Sequence, residues 1–269
     1  MTQDERGAPP FPTPDTLNAP PSWRCIDFVS DLHLHEGLPR TRDALARYLA
    51  ATPADAVLIL GDLFEAWVGD DMRSEPFEAG CVEILRACGE QRHLGIMVGN
   101  RDFLLGDTML QACCAHRLSD PTVLEAFGQR HLLIHGDSLC LADTAYLRFR
   151  AQVRQPEWQR AFLAAPLEAR LAQARRMREA SQAHQQQQGP AEWADVDETA
   201  AETWLQAAAA HTLIHGHTHR PTSMPFGGHQ GSTHRRRHVL SDWDLDHGHP
   251  RAEVLRLTSA GFSRHPVDA

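Results

Sequence analysis

Lysine is absent from this sequence of 269 residues, and all 26 of its basic residues are arginine. The absence excludes enzymes that form a Schiff base through lysine, including pyridoxal-phosphate enzymes, and it excludes the P-loop, which needs a lysine for the phosphates. Any phosphate that the protein recognises is therefore bound by arginine, by backbone amides or by metal.

Cysteine is sparse, with six residues and no Cys-x-x-Cys pair. This distribution indicates buried small residues in a reducing cytosol rather than a disulfide framework or a thiolate zinc site. Long apolar runs are also missing, since no stretch approaches the ~20 residues that cross a bilayer. Residues 1–21 are polar and proline-rich without an apolar core, so we expect a disordered tail rather than a signal peptide, followed by one domain over 22–269.

Positive charge is in deficit, because the formal net charge is −9. A general nucleic-acid binder would need a basic face, so we expect no nucleic-acid partner. No feature of the sequence predicts an obligate protein partner. The apolar fraction of 42% is ordinary for a globular protein and predicts a sizeable core.

Short apolar runs recur along the chain, and each ends in a polar residue that can bind metal. The runs are 26–29, 56–60, 94–98, 131–134 and 212–214. Such runs predict buried strands, and the helical patterns between the early ones predict βαβ order. Open α/β sheets place their sites at the carboxyl ends of strands, so we expect the polar residues to meet there.

The residues that follow these strands form five motifs: Asp-x-His, Gly-Asp, Gly-Asn, His-Gly-Asp and Gly-His-x-His. Their candidate ligands are Asp31, His33, Asp62, Asn100, His135, His217 and His219. Carboxylate, amide and imidazole groups suit Mn²⁺, Fe²⁺ or Zn²⁺. Asp62, if shared, would hold two ions ~3.5–4 Å apart, as in two-metal hydrolases. Each motif alone fits an ordinary turn, but five in this order predict a metal centre.

The later part of the chain departs from the βαβ pattern. The segment 123–127 and the run from 131 predict a hairpin, and 238–240 and 252–257 are the last predicted strands, which gives two sheets covered by helices. Between them, 138–210 predicts a helical insertion over the strand ends. It holds eight arginines between Arg148 and Arg178 and an apolar stripe from Leu163 to Met177. The arginines fit anion steering or a solvated face, and the stripe fits acyl chains or core packing.

The five motifs resemble those of the calcineurin-like metallophosphoesterases over residues 30–221. The resemblance implies an α/β fold, a double β-sheet sandwich flanked by helices, with two divalent metal ions. It also implies two ligand sets. One ion would be held by Asp31, His33, Asp62 and His219, and the other by Asp62, Asn100, His135 and His217.

A narrower resemblance extends beyond the metal ligands. The segments 61–71, 99–104, 135–140 and 215–221 are similar to those of the UDP-2,3-diacylglucosamine pyrophosphohydrolases of Gram-negative lipid A biosynthesis. This family implies Mn²⁺-dependent cleavage of a UDP-diacylated sugar lipid to UMP and the diacylglucosamine 1-phosphate, lipid X. It also implies a peripheral protein on the cytoplasmic face of the inner membrane, with a helical lid over the acyl chains.

The narrower resemblance assigns roles to individual residues. The implied catalytic residues are Asn100, Arg101 and His217. The implied substrate contacts are Asn100, Arg101, Asp143, Tyr146, Arg178, Ser181, Gln185, Gln188 and His217. At the last two lid positions the family usually has asparagine and lysine, so the two glutamines keep polarity without the positive charge.

Arg101 distinguishes this chain from the Ser/Thr phosphatases of the same fold, which have histidine at that position as the proton donor to the leaving alkoxide. Arginine does not give up a proton near neutral pH, but it binds and neutralises phosphate oxygens. A sugar phosphate leaving from a diphosphate is already a stable anion and needs no acid. The sequence therefore predicts attack at the α-phosphorus of an anhydride, with Arg101 stabilising charge on the diphosphate.

Other functions fit parts of the sequence. A phosphodiesterase of this fold could act on another nucleotide or diphosphate, or on nucleic acid, although the acidic charge and the arginine-rich insertion disfavour a nuclease. A catalytically inactive metallophosphoesterase could serve as a scaffold. Such a protein is expected to have lost ligands, and none is missing here.

Overall fold

The computed structural model describes residues 9–188, 195–226 and 235–268, with the backbone alone for 179–188. Two six-stranded sheets face each other, and helices cover their outer faces. The first sheet has the strand order β12-β11-β2-β3-β4-β5, and the second has the order β1-β6-β7-β8-β10-β9. The expected double β-sheet sandwich flanked by helices is confirmed.

The first sheet is built around the parallel strands β2, β3 and β4, which are buried on both faces. β2 and β3 are buried along their whole length. The strands of this sheet are β2 (Cys25–Val29), β3 (Ala56–Leu60), β4 (His93–Met97), β5 (His116–Leu118), β11 (Glu253–Thr258) and β12 (Gly261–Pro266). The helices α1 (Pro39–Ala51), α2 (Pro76–Gly89) and α3 (Asp107–Ala112) lie between successive parallel strands in the chain. β11 and β12 add an antiparallel edge. The predicted βαβ order is therefore confirmed for this half of the chain.

The second sheet is mixed. Its strands are β1 (Asp15–Asn18), β6 (Thr122–Ala126), β7 (Gln129–Leu133), β8 (Thr212–His215), β9 (Thr222–Pro225) and β10 (Arg236–Val239). β6 and β7 form the predicted hairpin, and the two residues between them, Phe127 and Gly128, both have positive φ. Two positive φ values in a two-residue loop match the right-handed twist of the strands.

The core lies in three layers because strand residues alternate between the two faces of each sheet. Ile26 and Phe28 of β2 pack between the sheets with Leu124 and Leu133, whereas Val29 of β2 packs under the helices. A third cluster joins the second sheet to its own covering helix. Both sheets are thus fixed on two sides, which gives the loops at their ends a rigid support.

The expectation of a disordered tail over 1–21 is wrong for Asp15–Asn18. This segment is β1, and it pairs in parallel with Thr122–Glu125 of β6. Leu17 also packs against the core between the sheets. A short polar segment carries no local signal for a strand, because here the partner strand supplies the hydrogen bonds and the core contact. Residues 1–8 lie outside the described part of the chain.

The described residues of the segment 138–210 form four α-helices with different surroundings: α4 (Thr144–Val153), α5 (Pro156–Leu163), α6 (Leu167–Gln188) and α7 (Glu198–Ala207). α7 is a covering helix of the second sheet, since Trp204 and Leu205 are buried in the same cluster as Leu213 of β8. The expectation that the whole segment lies over the strand ends is therefore wrong for α7.

The apolar stripe of the same segment is divided between residues of α6 that are covered by the first sheet and its helices and a residue of α5 that is exposed. Leu167, Leu171 and Ala174 of α6 pack against the core of the first sheet, while Leu163 of α5 is 42% exposed. The α6 part of the stripe is thus a packing surface. No helix among the described residues is long and apolar enough to cross a membrane.

Candidate metal centre and active site

The five predicted motifs meet at one edge of the sandwich. Each follows a strand: β2, β3 and β4 of the first sheet, and β7 and β8 of the second. Two groups of side chains have potential ligand atoms within 4.8 Å of one another: Asp31, His33 and His219, and Asp31, Asp62 and His135. The two halves of the sandwich therefore contribute to a single centre.

Asp62 lies between His33 on one side of the centre and His135 on the other. Its Oδ2 is 3.8 Å from His33 Nε2 and 3.7 Å from His135 Nε2. His33 Nε2 is in turn 3.3 Å from His219 Nε2. This position is the one that a carboxylate shared by two ions requires. The division of the ligands into two sets stays a prediction.

Asn100 completes the side of the centre that His135 forms. Its Oδ1 is 3.0 Å from His135 Nε2 and 2.9 Å from His217 Nδ1. His135 Nδ1 lies 2.9 Å from the carbonyl oxygen of Leu60, and donation to that oxygen turns the Nε2 lone pair toward Asp62. All seven predicted ligands are thus brought together.

The backbone at the centre is strained. Five of the seven predicted ligands are non-glycine residues with left-handed φ values between 48° and 66°: Asp31, His33, Asp62, His217 and His219. Such conformations cost about 1–3 kcal/mol each and persist only where the surrounding structure fixes them. Their concentration at one edge marks this edge as the functional site.

The electrostatics of the centre fit a divalent cation. Asp31 is fully buried and Asp62 is 2% exposed, so two carboxylates share a site with little water. Burial alone would raise the pKa of Asp31, but hydrogen bonding and charge from His219 and its neighbours hold it below its usual value. Burial would lower the pKa of His135, but the negative charges of Asp62, Asp137 and Asp31 raise it to about 9, so these carboxylates favour a positive charge at the site. The oxygen and imidazole donors, without a thiolate, suit Mn²⁺, Fe²⁺ or Zn²⁺.

Three of the ligands, Asp62, Asn100 and His217, directly follow a glycine. At each of these glycines a neighbouring loop of the metal centre packs against the Cα atom. A Cβ on Gly99 would lie 2.0 Å from Asp62 Oδ1, and one on Gly216 would lie 2.2 Å from Asp31 Oδ2. Real Cβ atoms do not approach other atoms this closely. The glycine of each motif is therefore a packing requirement of the metal centre.

Replacing Gly99 with alanine tests this requirement. We expect Gly99→Ala to lower the free energy of unfolding by about 1–3 kcal/mol, as overpacking does, and to weaken metal binding because Asp62 must move. Gly80→Ala is the control, since its Cβ would have no neighbour within 4 Å in α2 and alanine should raise the free energy by about 0.5–1 kcal/mol. Thermal unfolding and metal analysis measure both effects. Equal stability of the two variants would contradict the argument.

Arg101 and Arg178 flank the centre. The backbone N–H of Arg101 donates to Asp62 Oδ1 at 2.8 Å, and its side chain is 24% exposed. Arg178 reaches in from α6, and its Nε is 3.1 Å from Glu65 Oε1. The backbone of Arg101 is thus fixed to the metal centre, and the guanidinium group of Arg178 contacts a residue next to it.

The other predicted substrate contacts lie on α4 and α6. The ring of Tyr146 stacks on His217 with centroids 6.2 Å apart, and its hydroxyl donates to Asp137. Asp143 caps α4 by accepting the N–H of Tyr146 at 2.9 Å. Ser181, Gln185 and Gln188 lie on α6, but their side chains fall outside the described residues. The substrate roles of all five stay predictions.

Buried polar residues that the sequence did not predict support the ligand loops. Asp102 accepts from the N–H groups of Gly99 at 2.7 Å and Leu63 at 2.8 Å, and burial with the nearby Asp62 raises its pKa to about 6. Asp137 accepts from Arg150 Nε at 2.8 Å. Both stand inside the motifs, yet sequence alone does not separate a carboxylate that binds backbone amides from one that binds metal.

His215 lies directly under the His217 loop and is not one of the predicted ligands. It is fully buried, its Nδ1 lies 2.7 Å from the carbonyl oxygen of Gly216, and its Nε2 accepts from Arg237 Nε at 2.8 Å. Burial and the charge of Arg237 lower its pKa to about 3. It is thus a neutral imidazole that fixes the loop.

Comparison with known proteins agrees with the geometry. The model of the calcineurin-like phosphoesterase family matches residues 26–221. The chain is 42% identical to the UDP-2,3-diacylglucosamine hydrolase of Ralstonia nicotianae, with 91% of this chain and 93% of that protein aligned. It is 45% identical to the protein of the same name from Chromobacterium violaceum, over 90% and 98% of the two chains.

These matches include every predicted ligand motif and nearly the whole chain. The strained edge, the buried carboxylates and the imidazoles form the centre that such a family needs. The chain is therefore a metal-dependent hydrolase of the calcineurin-like phosphoesterase family.

Proposed function

We propose that the protein hydrolyses the diphosphate of UDP-2,3-diacylglucosamine at the α-phosphorus and releases UMP and 2,3-diacylglucosamine 1-phosphate. The names of the relatives support this substrate. The environment of Arg101 is the observation that supports this type of reaction. Its Nε is buried and has no hydrogen-bond partner among the described residues, while its backbone N–H donates to Asp62 Oδ1. A buried donor without a partner is expected to serve a ligand.

The proposed roles follow from the positions of the side chains. Asp31, His33, Asp62, Asn100, His135, His217 and His219 would hold two divalent ions, and we propose Mn²⁺. Such ions, when bound, lower the pKa of a water molecule and polarise the phosphoryl oxygens. Arg101 binds the anionic diphosphate and stabilises the charge that develops as the anhydride bond breaks. It holds its proton throughout, so the sugar phosphate leaves as an anion.

We further propose that the protein acts as a peripheral protein on the cytoplasmic face of the inner membrane, where the lipid substrate lies. Phe149 of α4 is 37% exposed and Leu163 of α5 is 42% exposed. Arg148 and Arg160 of the same helices are exposed as well. Apolar side chains beside arginines fit an anionic lipid surface, and α4 to α6 would then cover the acyl chains as a lid.

A substrate panel with Mn²⁺ tests the proposal. The compounds are UDP-2,3-diacylglucosamine, UDP-glucosamine without acyl chains, cyclic AMP and bis-p-nitrophenyl phosphate. We expect turnover of the diacyl compound to exceed that of the others by at least ~10²-fold in kcat/KM, since the acyl groups add buried apolar area. Preferential turnover of another nucleotide or diphosphate would replace this substrate with that one.

A further inference from the structure

Glu65 joins three parts of the molecule through one carboxylate. It follows β3 in the chain and its side chain is 11% exposed. Its Oε2 is 2.9 Å from His33 Nδ1, and its Oε1 is 3.1 Å from Arg178 Nε and 3.9 Å from Arg101. These three partners come from the β2 loop, the α6 helix and the β4 loop.

We propose that Glu65 is a positioning residue that couples His33 of the metal centre to Arg101 and Arg178 and orients both arginines toward the diphosphate. The proposal rests on the proposed function, because the arginines matter only if the substrate carries a diphosphate. Glu65 is not among the seven predicted metal ligands, and it acts through its partners.

The contact with His33 determines which ring nitrogen is available. Glu65 Oε2 lies at ion-pair distance from Nδ1 without the geometry of a hydrogen bond. Its negative charge favours the proton on that nitrogen and leaves the Nε2 lone pair free. Nε2 is the atom that faces Asp31 at 3.9 Å and Asp62 at 3.8 Å. Glu65 therefore orients His33 as a ligand and makes its imidazole a stronger donor.

The contact with Arg178 fixes a long and mobile side chain. Arg178 is 43% exposed on α6, and an exposed arginine loses rotamer freedom when it binds a ligand. Glu65 binds the Nε side of the guanidinium in advance and leaves donors on the terminal nitrogens for phosphate oxygens. The carboxylate thereby connects α6 to the metal centre.

A simpler role for Glu65 would be charge balance at the rim of the site. In that case the loss of its charge would act equally on every variant, and the effects of Glu65 and Arg178 would add. A positioning role instead predicts coupling between the two, and it predicts an effect on metal affinity that Arg178 does not share.

The first measurement is the affinity of the metal-free protein for Mn²⁺ by calorimetry. Glu65→Gln keeps the shape of the side chain and is expected to weaken Mn²⁺ binding by ~10–100-fold, the usual effect of losing the partner of a ligating histidine. Arg178→Gln has no contact with His33 and should bind Mn²⁺ as the unmodified protein does. Glu90→Gln, which removes an exposed carboxylate paired with Arg86, is the matched control. Unchanged Mn²⁺ affinity in Glu65→Gln would overturn the proposal.

The second measurement is a double-mutant cycle on the KM and kcat of the diacyl substrate. Arg178→Gln alone should raise KM by about 10-fold, as expected for one charged hydrogen bond, and by less than about threefold in the Glu65→Gln protein. Additive effects on KM would overturn the proposal, because Arg178 would then act without Glu65. No turnover by the unmodified protein would refute the proposed function instead, and the Mn²⁺ affinities, which need no substrate, would still decide the role of Glu65.

Discussion

Asp62→Ala is expected to lose at least ~10³-fold in kcat, more than the loss of one charge-stabilising donor causes, and to bind less metal than the unmodified protein. Asp62 Oδ2 lies within 3.8 Å of the ligand nitrogens of both His33 and His135. One carboxylate therefore serves both halves of the centre. Its removal leaves several imidazoles and Asp31 without the negative charge that holds two cations close together.

Metal analysis and steady-state kinetics on the same preparation measure the two effects. Asp62→Asn distinguishes the loss of metal and activity from a loss of structure. Its amide oxygen still accepts from the N–H of Arg101, while the negative charge is removed. Asp107→Asn changes an exposed carboxylate paired with Arg117 and should behave as the unmodified protein does. Full metal occupancy in an active Asp62→Ala protein would refute the shared ligand.

The central strands could be predicted because their signal is local. β2 and β3 are buried along their whole length, so their residues are apolar except for Asp27 of β2, whose buried carboxylate accepts from Arg256. β1 and β12 lie at sheet edges, where three of the four residues of β1 and three of the six residues of β12 are exposed, and β5 is only three residues long. Edge strands have few buried positions, so no apolar run marks them.

The helical region shows a second limit of sequence patterns. An apolar stripe indicates that one face of a helix is covered, but it does not indicate by what. The stripe on α6 packs against the first sheet, and α7 covers the second. Both assignments depend on where the sheets lie, which the helix sequences do not encode.

The candidate site could be predicted further than the fold because each motif carries its own chemistry. The motifs predicted seven residues that the structure brings to one edge. Glu65 and Asp102 were not predicted, since each acts by joining its own loop to residues that are distant in the chain. Asp102, for example, joins the Gly99 and Leu63 loops through two backbone hydrogen bonds.

Arg101→Ala is expected to lose at least ~10²-fold in kcat/KM for the diacyl substrate, the lower range for one donor that stabilises developing charge. Its Nε is buried without a partner among the described residues, and its backbone is fixed to Asp62. The Nε–H donor is therefore available to a substrate oxygen beside the metal centre. Arg101→Lys keeps the charge but not the planar pair of donors, so we expect an intermediate loss. Arg117→Ala, at an exposed position, is the control.

The same argument predicts which bond breaks. Because arginine at this position donates no proton to a leaving group, an alkoxide is a poor leaving group here and a sugar phosphate is a good one. Hydrolysis in ¹⁸O-water should place the label in UMP, which mass spectrometry of both products detects, and simple alkyl phosphodiesters should be turned over at least ~10²-fold more slowly. Label in the sugar phosphate, or rapid hydrolysis of an alkyl diester, would refute the role of Arg101, because water would then attack the other phosphorus or another residue would supply the proton.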